Sequence, residues 1–239
     1  MRLTKGSIFH YLEVGGNTYI YEWVLVYILF PLTVFVYAPE SLRSLFLKNA
    51  TIQMFLFIPI VQIPTLLTGK MLYVDIGWPL GLICIGINAL FWGNGWYVRN
   101  YISSFCIIFH GGRMLGGALI LFGKASNFTF TFKEDLPRYK YAKMRWIKNN
   151  GMPESTWWLK MQHDTLQQAA ANILILSCPI FLCAMNQEEN LHFLEVFGWS
   201  FWFFSWLLEN TADFQKLRFI AECKQKAALL KRGVQSVEN

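Results

Sequence analysis

Long apolar runs with almost no charge constrain this chain more than any other feature. A helix needs roughly 17 to 25 apolar residues to cross a hydrocarbon core about 30 Å thick. Six stretches meet that requirement: Tyr19–Ala38, Ile52–Thr68, Ile76–Val98, Tyr101–Phe122, Thr165–Met185 and Leu191–Leu208. The sequence therefore predicts an all-α fold, a polytopic membrane helix bundle of about six transmembrane helices. Composition agrees. Charged residues make up 15% of the chain, against about 25% in soluble domains. The ten Trp suit a protein with two membrane interfaces to anchor. Pro59 and Pro64 interrupt the second run, which predicts a kinked or re-entrant segment, because each proline removes a backbone donor.

Loop charge sets the expected topology. The N-terminus, the 69–75 loop, the 123–164 loop and the tail carry 17 of the 21 Lys and Arg. The segments 39–51, 99–100 and 186–190 carry three, and Arg113 lies inside the fourth run. Positive residues stay on the cytoplasmic side, so both termini are expected to be cytosolic, or in the matrix if the membrane is mitochondrial. The expected organisation is a cytosolic segment at 1–18, a six-span domain at 19–208 and a basic tail at 209–239. The net charge of +6 is read as this topology and not as nucleic-acid binding. Within 123–164, Lys140 to Gly151 reads as a short basic helix at the membrane surface, with its cations and Trp146 suited to anionic headgroups. Of two glycosylation sequons, Asn49 lies on the non-cytosolic side beside a span, and Asn127 lies on the cytosolic side, where it would be silent.

A charge within a span calls for a reason. Arg113 sits among Gly111, Gly112, Gly116 and Gly117, which suggest a close helix-packing face. Arg113 either faces a water-filled cavity and binds an anion such as a phosphate, or pairs with Glu209 or Asp213, or snorkels to a surface. His110 shares its face. Glu209 and Asp213 stand one turn apart, so they are either a helix end at the cytosolic surface or one wall of a ligand cavity. The cluster Lys133, Glu134, Asp135, Arg138, Tyr139 and Arg145 reads as a solvated loop or as a phosphate-binding cap. The five Cys have no metal-ligand spacing, and no GxGxxG, Walker, HExxH or GxSxG pattern occurs.

Three stretches, in order, carry a resemblance: DIGWPLG from Asp75, FHGGRMLGGALI followed by KEDLPRY to Tyr139, and ENTADFQKLRF from Glu209. Together they resemble the membrane proteins related to steroid 5α-reductase, in the branch with a 5α-reductase-like C-terminal domain. The resemblance implies a helix bundle in the endoplasmic reticulum, with the mitochondrial inner membrane as the alternative. It implies NADPH as cofactor and a lipid or sterol-like substrate whose carbon–carbon double bond is reduced. It places Arg113, Asp135, Arg138, Tyr139, Glu209 and Asp213 around the cofactor. The sequence also departs from the family. KEDLPRY has one extra residue. The second span offers Gln53 and Gln62 where the reductases have a glutamate. The aromatic loop that supplies much of the family's NADPH site does not follow the acidic turn before Asn239. The expectation is a partial product or a shortened homologue. The alternative function is a non-catalytic scaffold or accessory subunit with a protein partner in the membrane, and a transporter rests on Arg113 and the broken span alone.

Overall fold

The computed structural model describes residues 24–126, 135–150 and 153–237. Among these residues all regular structure is helical. The chain divides into two compact units, Met1–Glu189 and Asn190–Asn239. In the first, a π-turn at Val24–Leu29 leads into α1 (Phe30–Tyr37). Then come α2 (Glu40–Thr68), α3 (Val74–Trp92), α4 (Tyr97–Ser126), α5 (Pro137–Asn150) and α6 (Glu154–Met185). The second unit is built on one helix, α7 (Phe193–Val237).

Among the described residues, α2, α3, α6 and the Tyr97–Ile120 part of α4 are long and apolar enough to cross a membrane. The first expected span starts outside the described residues, as do Lys133, Glu134 and the Asn127 sequon. The sixth lies in the N-terminal half of α7.

Several boundaries differ from the sequence reading. The segment 39–51 is not a loop: α2 begins at Glu40 and runs 29 residues. Its charged first turns hid it from a hydropathy reading. The α3–α4 turn falls at Gly93–Trp96 instead of 99–100, and α6 begins at Glu154, eleven residues before the fifth apolar run. The basic helix expected from Lys140 is present as α5.

The prolines of α2 change its hydrogen bonding without breaking it. Pro59 has no N–H to give, and its ring crowds the carbonyl four residues back. The helix answers with a π-turn at Ile58–Gln62, closed by the Ile63 N–H bonding to the Ile58 carbonyl. A second π-turn, Ala171–Ile175, lies in α6.

α3 is central and touches α2, α4 and α6. One core cluster gathers Leu56, Phe57, Val61, Leu72 and Val74, and another gathers Leu45, Phe46, Leu82, Ile85 and Phe181. A polar ladder joins the α2–α3–α6 seam. Asn49 donates to the Asn172 and Ile173 carbonyls at 3.1 and 3.2 Å, carbonyls of the π-turn. Gln53 donates to the Asn49 side chain and, at 2.9 Å, to the Gly81 carbonyl. Asn172 donates to Gln53 Oε1 and to the Trp78 carbonyl. Asn49, Gln53 and Asn172 have no exposed surface. The ladder needs Gly81, since a Cβ there would lie within 3 Å of both Asn172 and Gln53. Gly111 serves the α3–α4 seam, where a Cβ would sit 2.7 Å from the Pro79 carbonyl. Gly112, Gly116 and Gly117 meet no described atom within 4 Å, so the packing face expected of them reduces here to Gly111.

Candidate functional site

The candidate site lies where α2 hands over to α3 and α5 docks on the turn. Gly69 ends α2 with φ of 65°, a left-handed cap that favours glycine. The turn is held from above by α5. Asp135 accepts from the Met71 N–H at 3.2 Å and from the Lys143 ammonium at 2.8 Å. Lys143 also donates to the Gly69 carbonyl at 2.7 Å. Eight residues apart in sequence, Asp135 and Lys143 thus clasp the turn between them. Trp146 anchors the helix. It is buried with Met71 and Met161, edge-on to Trp157 at 6.4 Å. Its ring is therefore committed to the protein and not to headgroups.

The second half of the site is Asp75, in the first turn of α3, where the helix dipole favours an acid. Its Oδ1 accepts from the Tyr139 hydroxyl at 2.7 Å and pairs with the Arg138 guanidinium. That guanidinium also lies 4.9 Å from the centre of the Tyr139 ring. Burial, and then the negative charge of Asp75, push the Tyr139 hydroxyl well above its ordinary range. Tyr139 is therefore a neutral donor at physiological pH.

Two acceptors are left over. Asp75 Oδ2 and Asp135 Oδ1 are buried with no hydrogen-bond partner among the described residues. Leaving a carboxylate oxygen buried without a donor is costly. Beside them the Arg138 side chain is 60% exposed while that of Asp75 is 16% exposed. Arg138 thus keeps donors available after pairing with Asp75. Two carboxylate acceptors and an open guanidinium suit a ligand that carries hydroxyls and an oxyanion. Among the described residues, no group of three or more His, Cys, Asp or Glu could hold a metal.

A family described as "Protein of unknown function (DUF1295)" matches residues 61–238, about three quarters of the chain. The chain belongs to the DUF1295 family. Neither the curated proteins nor the solved structures give a match. The DUF1295 match takes in the end of α2 and the whole of α3, α4, α5, α6 and α7.

Of the residues singled out by sequence, Asp135, Arg138 and Tyr139 meet at the start of α5. Arg113 stands half-buried on α4, three residues after His110. Glu209 and Asp213 stand exposed on α7, four residues apart on one face. Asp75 and Lys143 carry no such signal. Asp75 opens the DIGWPLG stretch, yet its partners lie 64 residues further on. Only the docking of α5 makes it the acceptor at the centre of the site.

Proposed function

We propose that this DUF1295 protein is a multi-pass membrane reductase that uses NADPH to reduce a carbon–carbon double bond of a lipid or sterol-like molecule. The observation that carries this reading is the donor and acceptor set at the α3–α5 junction. Asp75 Oδ2 and Asp135 Oδ1 are buried acceptors without a partner among the described residues and match the donors of ribose hydroxyls, and the exposed Arg138 guanidinium suits a phosphate. Bound there, the nicotinamide would supply the hydride. The chain's own contribution is binding and orientation. Arg138 would hold the anionic part of the cofactor, the two carboxylates would fix its hydroxyls, and the buried Tyr139 would keep Asp75 in place. Arg113, Glu209 and Asp213 are assigned to the same cofactor through the resemblance to the steroid 5α-reductase group. The six-span topology with cytosolic termini and residence in the endoplasmic reticulum belong to this proposal. A reporter fused after Asn239 should be cytosolic.

One observation favours a second reading. Asp135 with Lys143, and Asp75 with Tyr139, tie α5 to its turn through the chain's own side chains. A non-catalytic accessory subunit would keep this clasp for its stability alone.

NADPH binding separates the two. Ligand at one hundred times its Kd stabilises a protein by about 2.7 kcal/mol, so NADPH should raise the melting temperature of the detergent-solubilised chain and quench its Trp fluorescence. Arg138→Gln and Asp213→Ala should each remove both effects. A well-folded protein with no response would leave the accessory reading standing.

A further inference from the structure

A second feature lies away from the α3–α5 junction. A cavity of about 560 Å³ runs between α1, α2 and α6, within the size range of small-molecule sites. Its walls are apolar, with Phe35, Leu47, Met54 and Leu174 among them. Phe35, Leu47 and Met54 are also about half exposed, so the cavity opens sideways toward the surface that a bilayer would cover.

Arg43 lines this cavity. Among the described residues its only hydrogen bond runs from Nη2 to the Ala38 carbonyl at 3.2 Å. Among the described residues its Nε is buried without a hydrogen-bond partner, and the guanidinium makes no ion pair with a carboxylate. Keeping a guanidinium against an apolar wall without a counter-charge is unfavourable. Gln62 lines the cavity too, 19 residues along the helix, a rise of about 28 Å. The 29 residues of α2 extend about 43 Å, more than the roughly 30 Å hydrocarbon core. Its end turns therefore stand in the headgroup layers, and Arg43 belongs to the first of them.

We infer that this cavity binds one acyl chain of an anionic amphiphile, with the headgroup oxyanion on Arg43 and the tail lying toward Gln62. The anion answers the unpaired guanidinium, and the tail answers the apolar walls. None of its residues belongs to the α3–α5 junction, so its binding is read without NADPH.

The full-length chain, purified in non-ionic detergent without NADPH, is titrated with oleate, oleyl alcohol and dioleoyl-phosphatidylglycerol and followed by native mass spectrometry. One oleate per chain is expected, bound at least tenfold more tightly than the alcohol, which shares its tail but lacks the charge. Arg43→Gln should erase that preference and Arg43→Lys should retain most of it. Ala50→Phe, which fills the cavity wall, should weaken oleate and alcohol alike. If phosphatidylglycerol shows the Arg43 dependence and oleate does not, the oxyanion is a phosphate at the same site. Equal binding of acid and alcohol, or no effect of Arg43→Gln, overturns the inference. If Arg43→Gln fails to fold, the Lys and Ala50→Phe variants decide it.

Discussion

An arginine from another helix lies near each end of α3, Arg99 of α4 and Arg138 of α5, and the two are held in opposite ways. At the Trp92 end, Arg99 is wholly buried and donates to backbone, to the Asn186 and Glu188 carbonyls at 3.4 and 2.5 Å. Around it Gly95 and Trp96 donate to the Ala184 and Asn186 carbonyls, both at 2.8 Å. Asn100 closes the set with a bond to the Ala89 carbonyl at 3.1 Å. At the Asp75 end, Arg138 pairs with a carboxylate, stays largely exposed, and neighbours two acceptor oxygens that have no partner among the described residues. One end is a sealed staple between α3, α4 and the end of α6. The other is charged, partly open and still has bonds to make. Burial of a cation alone therefore does not mark a site here. What marks it is leftover bonding capacity.

The staple should be the costlier end to damage. Arg99→Ala takes the donor from the Asn186 and Glu188 carbonyls and opens a void where a wholly buried side chain stood, and should destabilise the protein by about 3 kcal/mol or more. Chemical or thermal unfolding in detergent measures it, and a loss below about 0.5 kcal/mol would mean that the staple bears little of the fold. Between the ends, Gly81→Ala forces a methyl into the Gln53–Asn172 ladder, with an expected cost of about 1–3 kcal/mol. Normal stability there would show that the ladder can shift.

At the open end the effects divide. Asp75→Asn removes the charge that Arg138 pairs with but keeps an acceptor for Tyr139, so about 1 kcal/mol is expected. Arg138→Gln should cost less than about 0.5 kcal/mol, because an exposed ion pair contributes little, and yet abolish the NADPH response. A large stability loss in Arg138→Gln would make the open end a second staple and erase the contrast. The smallest effect is in pH. Tyr139 has its hydroxyl pKa raised in the folded state, so the folded form holds that proton more tightly than the unfolded chain. Its stabilisation is complete below the ordinary tyrosine value of about 10 and is lost as pH rises above it. Tyr139→Phe should flatten the stability profile above pH 10 relative to the unaltered chain.

Much of the fold was legible because lipid imposes a coarse rule that sequence reports directly. Long apolar runs gave α3, most of α4 and the later part of α6, and a block of cations gave α5. The start of α2 was hidden because Glu40, Arg43 and Lys48 lower its hydropathy while its helix continues without a break. The glycines of α4 were read as one packing face, but a small residue shows only that contact is permitted. Gly111 uses that permission, while its three neighbours meet nothing within 4 Å among the described residues. In the site, KEDLPRY was visible as a charged cluster, and Asp135, Arg138 and Tyr139 do gather there. Its centre, Asp75, was not visible, because a pairing across 64 residues leaves no local periodicity.

The π-turn at Ala171–Ile175 has one further consequence. Such a turn acts as a single-residue insertion absorbed within a helix, so the flanks remain in phase as if one residue were missing. A deletion of one residue there should leave Phe181 and Ala184 on their present face. It would also withdraw the carbonyls that Asn49 reaches. The helix thus carries a point at which its length can change by one residue without turning the core inside out, and the polar ladder is what fixes which length this chain uses.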